Sequence, residues 1–189
     1  WTEFLAATLQ LGQPCAAETG LDTLPVAPGY APVPHTFHDT ATTGNCTNYA
    51  QGGARVTDPH GPGNAYYFNP ADPTTASDAL GALTVPVQQQ IQKYLDDHQQ
   101  TFSSDQLVTV FAGGNDIFVN VGGVNAGLET PTQAVGAMTL AGAQLAGYVN
   151  TMILAKGATH VAVVTLPDVS LTPYAIGAGP AAQALVKQM

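Results

Sequence analysis

The chain has 189 residues, enough for one full-sized domain with a sizeable core, and only 9% of them are charged against about 25% in an average soluble protein. Four cations, Arg55, Lys93, Lys156 and Lys187, stand against 13 carboxylates, for a formal net charge of −9. That balance excludes nucleic acid as a partner and electrostatic docking on anionic membranes, and 45% hydrophobic residues exclude a disordered acidic tail. In chain order, residues 3–11 read as a short amphipathic helix with Phe4, Leu5, Thr8 and Leu9 on one side and Gly12 as its stop. Residues 13–44 form a long irregular stretch with Pro14, Pro25, Pro28, Pro32 and Pro34, and a second runs from 57 to 83. Loops of this length inside a domain are usually functional or form a rim over a site.

Thr84 is placed to cap a helix carrying Val87, Ile91 and Leu95 at i, i+4 spacing. Residues 107–112 (Leu-Val-Thr-Val-Phe-Ala) and 161–166 (Val-Ala-Val-Val-Thr-Leu) are short apolar runs of the kind expected for strands buried on both faces. Between them, Thr130-Pro-Thr-Gln133 is a capping box with proline at the first helical position. It opens a long helix with Val135, Met138, Leu145, Val149 and Met152 on one side, closed by Lys156-Gly157. A further helix begins at residue 180. Nowhere do about eighteen apolar residues run together, so no transmembrane segment is expected. Alternating apolar strands and helices point to an α/β fold with a parallel sheet, whose sites lie at the carboxyl ends of the strands.

Cys15 and Cys46 are the only cysteines, both in loop-like surroundings. A disulfide between them would stabilise by about 3–4 kcal/mol in the chain-entropy picture and would point to an oxidising compartment; two unpaired thiols are the alternative. His35 and His38 have a metal-ligand look, but no helix aims both rings at one point, so they read as a loop pair. His98 follows two aspartates near a helix C-terminus and reads as structural, and His160 as a solvated turn residue. Asn45-Cys46-Thr47 is a formal glycosylation acceptor of a kind frequent by chance.

Two glycine-rich segments carry the chemistry. Asn48-Tyr-Ala-Gln-Gly-Gly-Ala54 comes early, and Gly113-Gly114-Asn115-Asp116 directly follows the first apolar run. Each alone reads as a turn. Together they offer a backbone N–H beside glycine and a neutral asparagine amide, both suited to a developing negative charge. Asp116 is expected to hold its loop by hydrogen bonding to nearby backbone rather than to take part in chemistry.

In their order and spacing these segments resemble the second and third blocks of the GDSL (SGNH) lipase/esterase family, in its bacterial secreted phospholipase/lecithinase-type branch. Gly53 matches the glycine of the second block and Asn115 the asparagine of Gly-x-Asn-Asp. Residues 1–6 and 161–173 are similar to the stretch after the nucleophile block and to the strand and loop after the long helix. The resemblance implies a single domain over 1–189 with a three-layer α/β/α sandwich and a parallel sheet, incomplete at both ends. It implies a serine ester hydrolase with Gly53 and Asn115 as oxyanion donors, supported by Gly113, Gly114 and Asp116.

A small-molecule or lipid ester is then the expected substrate, with no cofactor, no metal and a secreted, periplasmic or cell-surface location. The family's Gly-Asp-Ser and Asp-x-x-His blocks are not in the chain: Ser77, Ser103, Ser104 and Ser170 lie in other settings, and no histidine has aspartate three residues before it. The expectation is a central portion that is inactive and marginally stable alone; a non-catalytic lipid- or glycan-binding module with the same fold is the alternative.

Overall fold

The computed structural model describes residues 1–12, 14–17, 46–62 and 85–189. Its elements are helix α1 (Thr2–Thr8), helix α2 (Val87–Asp97), strand β1 (Leu107–Val110), helix α3 (Gly114–Asn125), helix α4 (Pro131–Tyr148), strand β2 (His160–Val163), and short helices α5 (Pro173–Gly177) and α6 (Pro180–Val186). The two strands are parallel, with Leu107 opposite His160 and Val110 opposite Val163. Their connection runs through α3 and α4, giving the α/β arrangement with a parallel sheet that the sequence implies.

Among the described residues, two apolar clusters join most of the elements, with α1 and α5 contributing to neither. The first joins Ile91, Tyr94 and Leu95 of α2 to Tyr49, Phe102, Val110 and Ile153, with Val108 and Val161 packed against it. Inside it Tyr94 stacks on Phe102 with ring centroids 4.2 Å apart and meets Tyr49 edge-on. The second joins Ile117 and Val121 of α3 to Ala134 and Met138 of α4 and to Val169, Leu185 and Val186. Helix α4 serves both: Ala134, Val135 and Met138 belong to the second cluster, while Leu145 packs against the first. Beyond Tyr148 the helix continues as a wider turn (Val149–Ile153) and a tight turn (Leu154–Lys156), and Gly157 ends it in the left-handed region. Val149, Met152 and Ile153 of the wider turn pack in the first cluster, as the helical spacing implies for Val149 and Met152.

Several expectations are corrected. Helix α1 stops at Thr8 rather than running to 11, and Phe4 on its apolar side is 80% exposed; among the described residues Ala6 is the buried one. Pro86, not Thr84, holds the N-cap position of α2, and Thr84 lies outside the described residues. No side-chain cap is needed there, because Val87 N–H donates to Arg55 O (2.9 Å) and Gln88 N–H to Val56 O (3.1 Å). The strands are shorter than the apolar runs and not buried on both faces: Val110 is buried, Leu107, Thr109 and Ala162 are half-buried, and Val163 is exposed. Helix α3, α5 and the tight turn at Val169–Leu171 have no counterpart in the sequence reading.

The capping box forms as written: Gln133 N–H donates to Thr130 Oγ1 (3.3 Å), and Thr130 N–H donates to Gln133 Oε1 (2.8 Å). Thr130→Ala should therefore lower stability by about 1 kcal/mol, seen as a lower urea midpoint with unchanged slope.

Candidate active site

The site begins with a disulfide. Cys15 and Cys46 are bonded to each other, and their flanks pair as a short parallel bridge: Ala17 N–H donates to Asn48 O (2.9 Å) and Asn48 N–H to Cys15 O (3.1 Å). The chain then turns twice. Ala50 N–H donates to Asn48 Oδ1, and Ala54 N–H donates to Gln51 O to close a β-turn with Gly53 at its third position. There φ is +87°, which glycine adopts without strain.

Residues 54–56 then run past the N-terminus of α3. Asn115 Nδ2 donates to Ala54 O at 2.8 Å. Arg55 Nε donates to Asp116 Oδ1 and Val56 N–H to Asp116 Oδ2, both at 3.1 Å. The end of the first glycine-rich segment and the two residues after it are thus joined to the second by three hydrogen bonds, residues 54–56 against residues 115 and 116. Helix α3 begins immediately after the carboxyl end of β1, with Gly113 as N-cap at φ +104°. A Cβ on Gly113 would stand 3.2 Å from Leu166 Cδ1, so the segment after β2 rests directly on this turn. Asn115 is half-buried and uses one of its two amide hydrogens on Ala54; it has no other side-chain hydrogen bond among the described residues.

Asp116 is 3% exposed. Beside the Arg55 and Val56 donors it lies in the first turn of α3, where the helix dipole favours a carboxylate. Burial nonetheless pushes its carboxyl above the ordinary 3.8; the Arg55 charge and the Val56 N–H pull it back without reversing the direction. Arg55 also meets Asp58 through Nη1 (3.2 Å to Oδ2), and Asp58 accepts from both the backbone and the ring of His60 at 2.9 Å. For Asp58, burial acts upward but is outweighed by the His60 N–H, the Arg55 charge and the His60 ring, so its carboxyl sits below 3.8.

A family model described as GDSL-like Lipase/Acylhydrolase matches residues 10–189. The chain belongs to this family. Neither a curated protein nor a solved structure matches it significantly. The GDSL family comprises lipases and acylhydrolases, and an α/β fold with a parallel sheet is consistent with membership. Both glycine-rich segments fall inside the matched residues.

The serines of this GDSL-family chain are turn residues where they are described. Ser103 Oγ donates to Asp105 ahead of β1, at the end of the strand away from Asn115. Ser170 is buried and donates through Oγ to Asp168 in the tight turn after β2. Ser77, His35, His38 and Asn45 lie outside the described residues. His98 occupies the C-cap of α2 with its ring stacked 4.3 Å from that of Tyr94, and His160 is an exposed first residue of β2 rather than a turn residue. His60 is exposed on Asp58. Sequence reasoning missed Arg55 as the partner of Asp116, and the Ala54 carbonyl as the acceptor for Asn115. Being the only arginine, immediately after the second block, was the one signal Arg55 gave.

The direction of the Asp116 shift fixes a pH dependence. The folded chain holds that proton more tightly than the unfolded chain does, so the stability contributed is greatest below about pH 3.8 and declines as pH rises through the folded value. Asp116→Asn removes the titration. The wild-type minus variant unfolding free energy, from urea denaturation between about pH 3.5 and about pH 7, should fall as pH rises. A difference that rises would mean that the ion pair outweighs burial.

Proposed function

We propose that the chain is the oxyanion-binding portion of a GDSL-type serine ester hydrolase, with the Gly53 N–H and the Asn115 side-chain amide as the donors. The observation that carries this reading is the Asn115–Ala54 hydrogen bond of 2.8 Å, which joins the two segments one residue from Gly53. One amide hydrogen fixes the side chain against backbone; the other is left for an oxygen that becomes negative only in the transition state. An amide already oriented in the resting protein needs no reorganisation when that charge develops. Asp116 and the turn glycines hold the donors in place.

Chemically, the reaction is acyl transfer: a serine attacks the ester carbonyl, a histidine carries the proton, and an acid orients the histidine. Residues 1–189 supply neither nucleophile nor base. In support, the hydroxyls of Ser103 and Ser170 are committed to Asp105 and Asp168, and the exposed His60 is paired with Asp58. The substrate is a small or lipid ester, and the Cys15–Cys46 disulfide supports a secreted, periplasmic or cell-surface setting.

In the natural gene product, Asn115→Ala should lower kcat on a p-nitrophenyl ester by about 10²–10³ with the fold unchanged. Activity within a few-fold of wild type would remove Asn115 from the chemistry and favour a lipid- or glycan-binding module. Residues 1–189 expressed alone should give no turnover of the same ester above the buffer rate; measurable turnover would require a nucleophile among the residues present.

A further inference from the structure

We propose that Arg55 is a positioning residue for the Asn115 amide, acting through Asp116 and the 54–56 backbone; this rests on the reading of Asn115 as an oxyanion donor. The basis is a register lock. Three consecutive residues, 54, 55 and 56, bond two consecutive residues, 115 and 116, through the Ala54 carbonyl, the Arg55 guanidinium and the Val56 N–H. The Asp116 carboxylate takes one donor on each oxygen, so the side chain of Arg55 and the backbone beside it grip the same group. The guanidinium is itself fixed from its far side, by Asp58 Oδ2 at 3.2 Å and the His60 carbonyl at 3.4 Å. Its side chain is only 13% exposed, although it is the only arginine in the sequence.

Removing the guanidinium would leave a buried carboxylate with the Val56 N–H as its remaining cross-segment donor. Such a group takes up a proton, turns toward solvent or draws water in, and each response weakens the bond it accepts from Val56 N–H. Ala54 is then no longer held in register with Asn115, and the amide loses the acceptor that orients it. Oxyanion donors are sensitive to such movement, because a misplacement of about 1 Å can cost up to about a hundredfold in rate. Lysine is not an equivalent substitute: its ammonium is a point charge and lacks the fork that reaches Asp116 and Asp58 together.

The test is a double-mutant cycle on the natural gene product, with ester hydrolysis rates normalised to folded enzyme. Arg55→Met should lower kcat about ten- to a hundredfold with KM within about twofold. The double variant Arg55→Met/Asn115→Ala should be within about twofold of Asn115→Ala alone, because a residue that acts through Asn115 has nothing left to position. Losses that multiply, or wild-type kcat in Arg55→Met, overturn the proposal. Wild-type kcat in Asn115→Ala overturns the oxyanion reading instead, so the two failures are distinct. Should Arg55→Met not fold, Arg55→Lys replaces it: kcat should fall with KM retained, and the Asn115 side-chain amide resonances of ¹⁵N-labelled protein should shift. An unmoved amide with unchanged kcat overturns the proposal.

Discussion

A buried carboxylate, Asp116, fixes how two segments sixty residues apart meet. Its two oxygens take the Arg55 guanidinium and the Val56 N–H, so residues 54–56 cannot slide along the start of α3 without stranding a charge. Those residues also present the Arg55 and Val56 carbonyls to the first free N–H groups of α2. The N-termini of two helices are thereby set by one short stretch of backbone. Such a pair is a poor source of net stability, because desolvation cancels most of the Coulomb attraction. Its value is geometric: the alternatives to this register leave a buried charge or a buried N–H unpaired.

How much of this could be read from the residues depends on whether the determinant is local. The capping box at Thr130, the stop at Lys156-Gly157 and the apolar face of α2 are local, and all three appear in the structure. Helix α3 is not. Its sequence carries Gly122-Gly123, three valines and three asparagines, a set with poor helix propensity, and it forms because Ile117 and Val121 are buried between α4 and α6. The strand runs promised more burial than they receive, since apolar composition reports what a strand can tolerate rather than what covers it. Phe4 in α1 teaches the same lesson: amphipathic spacing is present without a partner surface among the described residues.

At the site, Gly53 and Asn115 could be singled out because their residue types are chemically specific in that order. The Ala54 carbonyl and the Arg55–Asp116 pair could not, because an ion pair across 61 positions leaves no periodicity and no motif. Alanine is equally silent when its contribution is a backbone oxygen. The His98 ring, stacked on Tyr94, was legible as structural only from its place at the end of α2.

The scarcity of cations has a practical side. Arg55 is the only guanidinium in 189 residues, and it is enclosed by the contacts that hold the two segments together. Dicarbonyl reagents selective for arginine therefore have one target in this chain. They reach it when the local structure opens, so the labelling rate is a single-residue reporter of that opening. Most proteins need an engineered label for such a measurement; here the side chain that locks the register also serves as the probe of when it is released.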